Sequence, residues 1–330
     1  MSDDYGLARV AALRGRLLDP ATLGQLRAAP TAAAFLHVLE RTEDWAPVLR
    51  IVAPLGGEPL TAAEAAIERH RSLRLGRLPR WFVPPTRRLV EALVLPLDRE
   101  RLVALLRLRR AGVAAEDVTA LVAPGALLDA DQLGALARAP TLADLVVRIA
   151  LVGLVPAEAV PGLLRAAREA VDPPGWAAFE GAVGAAIEAS RRQRAEGRGE
   201  NARFVAALLR REAADRRAVA AEIEAGGVGS ALRLERGLVL ARLGELVRLA
   251  RRDPLSIGPI AGYVAAVELQ AIRLRAMIAH LRSGWTGDPL ASDRGGLVGV
   301  AAASGAVEGS MVEGGRLGRE GGSAGGRGDG

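Results

Sequence analysis

From Ile260 onward, the apolar residues of one uninterrupted stretch fall at Val264, Val267, Ala271, Leu274, Ile278 and Leu281, alternating steps of four and three. That spacing keeps a single narrow seam of a helix turned toward a partner helix. A long helix within residues 253–285 must therefore be clasped by other helices, and Pro259 suits its first turn, where a missing N–H would have had no partner anyway. Beside the seam Glu268, Arg275 and Arg282 recur every seven residues, two turns apart, with Arg273 close by. A charged row of this kind is either a solvated stripe or a contact row for another protein.

Half of the residues are hydrophobic, yet only 3% are aromatic. The core must be assembled from Ala, Leu and Val, which favours closely packed helices, because strands enrich aromatic and β-branched side chains. The expected fold class is all-α, and 330 residues leave room for two or three helical units.

Several kinds of chemistry are excluded. All 44 basic residues are Arg, and without a Lys amine neither a Walker A phosphate loop nor a Schiff-base enzyme can be built. The absence of Cys removes disulfides, zinc thiolates and thiol catalysis. His37, His70 and His280 are scattered, with no His-Glu-x-x-His frame, so neither a metal nor any other cofactor is expected. Asp129 and Asp131 lack the remaining ligands of a calcium loop and read as residues near a helix start. Residues 226–230, Gly-Gly-Val-Gly-Ser, read as a loop between two helices, since no strand precedes them.

The net charge of +6 is spread along helices, as at Arg242, Glu245 and Arg248, instead of forming a block. Ion-paired helix faces are expected, with no nucleic acid as partner. The acidic start Met1-Ser2-Asp3-Asp4 is unlike an export signal, and the greasiest runs, 89–97 and 145–155, are too short to cross a bilayer.

An internal repeat organises the chain. Residues 18–39 realign on 128–149 with nine identities in 22 positions, among them Leu18/Leu128, Asp19/Asp129, Pro30/Pro140 and Thr31/Thr141. A weaker correspondence links 101–106 to 203–208, which implies three related helical units in a closed arrangement. The proline-rich segment 79–86 closes the first unit, and the polar run 191–200 separates the second from the third. The units expected are 1–97, 98–195 and 196–285, the last ending in the long helix, followed by a Gly-rich tail, 286–330, that has no apolar pattern to order it.

Two stretches resemble a known family. The run Pro254-Leu255-Ser256-Ile257-Gly258-Pro259, then Gly262-Tyr263, Glu268 and Leu274-Arg275, is similar to the last long helix of the V-type ATPase C-subunit family, whose vacuolar members are known as the d-subunit. Tyr5, Ala8-Arg9-Val10, Leu17-Leu18, Phe35, Leu39 and Thr42 resemble that family's opening, although Trp45 and Val267 stand where the family more usually has Tyr and Lys. The resemblance implies three similar bundles around a funnel with pseudo-three-fold symmetry. It also implies a non-catalytic socket between rotor shaft subunits and the membrane proteolipid ring, on the cytoplasmic face of the plasma membrane, in a complex that links ATP synthesis or hydrolysis to proton or sodium transport. On that reading Glu268, Arg273, Arg275 and Arg282 contact the partners. A regulatory or nucleic-acid-binding helical-repeat scaffold is the alternative reading.

Overall fold

The computed structural model describes residues 3–53, 58–226, 228–253 and 256–283. These residues are helical, with no strand among them. The first four helices are short: α1 (Asp3–Arg14), α2 (Pro20–Ala28), α3 (Ala32–Glu40) and α4 (Ala46–Val52). Two long ones follow, α5 (Pro59–Leu75) and α6 (Thr86–Arg110). A second short set is α7 (Ala115–Leu121), α8 (Ala130–Ala137), α9 (Leu142–Leu151) and α10 (Val160–Glu169). The last described helices are α11 (Pro173–Ala195), α12 (Glu200–Glu224), α13 (Val228–Arg252) and α14 (Ile257–Ser283). The Gly-rich tail lies outside the described residues.

The repeat is realised through its helix caps. Asp19 caps α2 by accepting from the Thr22 N–H, and Asp129 caps α8 by accepting from the Gln132 N–H. In the next helix of each copy, Thr31 caps α3 and Thr141 caps α9 in the same way. Each cap satisfies an otherwise unpaired donor of a first turn, so these identities retained between the two copies fix where helices begin. The third unit differs. Residues 101–106 and 203–208 both lie on long helices, α6 and α12, but no short helix pair follows α12 among the described residues.

Three hydrophobic cores result among the described residues. One holds α2–α5 together with Ala271, Leu274, Met277 and Ile278 of α14. Another packs the second half of α6 on α7–α11. The third gathers α1, the first half of α6, α12, α13 and the first half of α14. Both α6 and α14 are thus shared between cores, and position 97/98 falls inside α6. Ile260, Val264, Val267, Ala271, Leu274 and Ile278 are all buried, as the seam requires, and Leu281 is half-buried. The seam is nevertheless not narrow. Ala261, Tyr263, Ala265 and Leu269 are buried too, so the first half of α14 is enclosed on every side. A Cβ on Gly262 would come within 2.8 Å of the Ala250 Cβ, so only glycine permits this approach of α13.

One fastening ties Pro96, inside α6, to the polar run at 191. Proline has no N–H, so the carbonyl four residues back, that of Ala92, loses its helical donor. The Arg191 Nε–H donates to that carbonyl at 2.6 Å. The rest of the guanidinium pairs with Glu212 on α12 and lies 3.6 Å from Glu188. Glu212 also meets Arg242 of α13 at 2.6 Å. The sequence reading of residues 191–200 as a polar separator is therefore corrected. Arg191 is fully buried inside α11, and the turn occupies only residues 196–199.

Restoring the missing donor should weaken the dependence on Arg191. Arg191→Met is expected to cost about 3 to 5 kcal/mol by taking a buried cation away from Glu212, and less by about 1 kcal/mol in a Pro96→Ala background. Urea unfolding of the four proteins in that double-mutant cycle measures the coupling, and strictly additive effects would break the link.

Candidate functional site

The charged row of α14 faces α5. Arg71 donates to both carboxylate oxygens of Glu268, Nε to Oε2 and Nη2 to Oε1, each at 2.8 Å. Arg275 pairs with Glu68, and Arg282 meets Glu64 at 3.0 Å. Since Glu64, Glu68 and Arg71 succeed one another at four and three residues, they line one face of α5 and match the row on α14. Three of the four residues expected to meet partners thus have ion-pair partners within the chain, Arg275 and Arg282 while still exposed. Arg273 stands apart. It projects from another side of α14, is half-buried, and has no hydrogen-bond or ion-pair partner among the described residues. Burial pushes its guanidinium below its ordinary value.

At the centre of the zipper, Arg71 joins three helices. Besides Glu268 it binds Glu100 of α6, through Nη1 at 2.5 Å and Nη2 at 3.2 Å. Its side chain is only 5% exposed. Burial opposes its charge, but Glu268 and Glu100 outweigh that and raise it above the usual arginine value. For Glu100 burial works in the opposite direction, and the hydrogen bond and charge of Arg71 hold its carboxyl below the normal range. Next to it, Arg101 of α6 donates to Glu68 at 2.6 Å and to the Ser72 hydroxyl at 3.0 Å. Burial and then the like charge of Arg71 bring Arg101 down to about 10. Three guanidiniums (Arg71, Arg101, Arg275) face three carboxylates (Glu68, Glu100, Glu268), so the cluster is neutral. Charge-assisted, forked pairs of this kind fix orientation as well as distance.

Sequence reasoning overlooked the α5 and α11 halves of these joints, yet a signal was present. On α5 the buried positions Leu60, Ala63 and Ile67 continue to Arg71 and Arg74, which occupy apolar places in the pattern. On α11 Val183 and Ile187 continue to Arg191. A charged residue on the seam of a helix marks a buried pair, because an unpaired charge there would be prohibitively costly.

The histidines are not brought together. His37 lies beside Glu40 at 3.9 Å, and His70 stacks on Trp45 with ring centroids 4.0 Å apart and planes at 9°. Among the described residues no group of three or more His, Asp or Glu could hold a metal ion, and no helix is long and apolar enough to cross a membrane. Asp129 serves as a helix cap, as its position suggested. Gly226, with φ of 79°, ends the turn after α12, while Gly227 lies outside the described residues. The arrangement is suited to holding helices in fixed register.

Against this geometry, residues 7–168 match the family model described as ATP synthase (C/AC39) subunit. The match runs from within α1 to almost the end of α10 and does not extend to the 253–285 stretch. No curated protein matches the chain.

Acid should act on the first core through His70. Burial, then the charge of Arg74, depress its pKa from 6.5 to about 3, and its Nε2 accepts from Arg74 Nε at 3.4 Å, which requires the unprotonated nitrogen. A depressed cation pKa means that the unfolded chain takes up the proton first. The stability due to neutral His70 is therefore complete above pH 6.5 and is lost as pH falls toward 3, at about 1.4 kcal/mol per pH unit. His70→Phe keeps a ring on Trp45 but has no proton to bind, so its unfolding free energy should fall less steeply over that range. Parallel pH profiles of the two proteins would remove His70 from the account.

Proposed function

Because the chain belongs, through residues 7–168, to the ATP synthase (C/AC39) subunit family, we propose that it is a non-catalytic central-stalk component of a V/A-type ATPase. In that role it is a funnel-like socket that seats the rotor shaft on the membrane proteolipid ring and passes torque between them, on the cytoplasmic face of the membrane. The family match is the observation that carries this reading. The helix joints support it physically, because a torque-bearing part has to resist sliding between helices, and forked ion pairs buried between packed helices oppose such sliding.

Two surface features suit partner contact. Val147 and Leu151 lie one turn apart on α9 and are 46% and 81% exposed. An apolar strip left in solvent is the kind of surface that another protein covers. Arg273 offers an uncompensated charge on α14. Glu268, Arg275 and Arg282 then act indirectly, by fixing the helix that carries Arg273.

The test is assembly. Leu151→Asp and Arg273→Glu should leave helicity and the thermal midpoint of the isolated protein unchanged, since a residue outside the core contributes little to folding. Each should reduce capture by shaft subunits or by ring-containing membranes about tenfold or more, because a misplaced charge opposes docking. Undiminished capture of both variants would remove these surfaces from the interface, and failure of the wild type to bind either partner would end the socket reading.

A further inference from the structure

We propose that the cleft between α1, the α3–α4 loop and the end of α5 is a binding site for a small phosphate-bearing polyanion. This site does not depend on the socket reading.

The cleft has a volume of about 590 Å3, within the range of small-ligand pockets. Its wall contains Arg9, Arg16, Arg74 and Arg77, and Asp44 is the only carboxylate lining it among the described residues. Four guanidiniums against Asp44, and against Glu43 beside Arg16 at the rim, leave a surplus of two positive charges. His70, at the floor, adds none near neutrality, as its depressed pKa keeps it uncharged.

The charges are not equivalent. Arg74 is paired with Asp44 and buried, and Arg16 lies 3.8 Å from Asp44 and 3.7 Å from Glu43. Arg9 and Arg77 have no carboxylate within ion-pair distance among the described residues. Arg9 is held in place all the same. Its guanidinium carbon lies over the Tyr5 ring at 5.4 Å and over the Trp81 ring at 5.2 Å. Aromatic faces hold the plane of a guanidinium while leaving its N–H edge free to donate.

The wall depends on a close approach of two segments. A Cβ on Gly6 would fall 2.5 Å from Phe82 Cε1 and 2.7 Å from the Trp81 carbonyl oxygen, so glycine lets α1 lie directly on the Trp81–Phe82 backbone. Asp3 secures the same contact by accepting from the Val83 N–H at 3.1 Å and the Thr86 hydroxyl at 2.6 Å. Tyr5 and Arg9 are thereby held over the cleft and are not left to sway on a terminal helix.

A surplus of two charges, carried by Arg9 and Arg77, selects the ligand class. A monocarboxylate would leave half of that charge uncompensated, whereas a diphosphate or triphosphate group covers it and presents paired oxygens to guanidinium forks. The cleft is also larger than a phosphate ion requires, which favours a phosphate ester or a linked phosphate.

Titration calorimetry of the full chain at physiological salt, with pyrophosphate and with ADP as probes, tests the site. Saturable one-to-one binding is expected, weakened about tenfold or more in Arg9→Ala/Arg77→Ala with an unchanged thermal midpoint. A control, Arg165→Ala/Arg168→Ala, removes the same charge from α10, outside the cleft, and should bind as the wild type does. Tighter binding of ADP would identify a phosphate ester as the ligand, and equal binding would identify the phosphate moiety alone. The proposal is overturned if neither probe saturates in the millimolar range, if the cleft variant binds normally, or if the control loses affinity equally.

Discussion

Arg71 is the point where the chain's long helices are held to one another. Its fork closes on Glu268 of α14 and its remaining N–H groups reach Glu100 of α6, while its own helix is α5. The surrounding cores are mostly aliphatic, and burial of Ala, Leu and Val drives helices together without dictating how far one slides past the next. A guanidinium set between two carboxylates does dictate it, since its donors accept only one geometry. Arg191 plays the same part where α6, α11 and α12 meet, with the added task of supplying the donor that Pro96 lacks.

These joints matter because α14 belongs to two cores. Its first half lies among α13, α6 and α1, and its second half among α3–α5. A displacement at one end must therefore be felt at the other, and Glu268 stands where the two halves meet. For a protein whose proposed work is to pass rotation from one partner to another without chemistry, a stiff shared helix serves as the working part. The absence of Lys and Cys restricts catalysis without affecting such a role.

Much of this was legible in the residues. The four-and-three spacing from Ile260 located α14 and its buried face, and the repeat marked Asp19, Thr31, Asp129 and Thr141, which turn out to be helix caps. Low aromatic content indicated helices. What escaped was pairing between distant segments. The row Glu268, Arg275 and Arg282 looked available because its partners on α5 lie far earlier in the chain, and periodicity reports the face of a residue without naming what faces it. The polar letters around Arg191 suggested a linker because composition does not separate a solvated arginine from a buried one. The third unit was harder still, as a short match between α6 and α12 carries no information about the helices that follow.

Hydrogen exchange on Arg71→Met, read together with its unfolding free energy, tests the joint most directly. Methionine keeps much of the length and the apolar stem but leaves Glu268 and Glu100 without their shared cation. A loss of about 3 to 5 kcal/mol is expected, with amide protection falling first in α5 and α14 while α8–α10 remain protected. Unchanged stability with unchanged protection in α14 would contradict the account, because the register of the long helices would then be set by the aliphatic core alone.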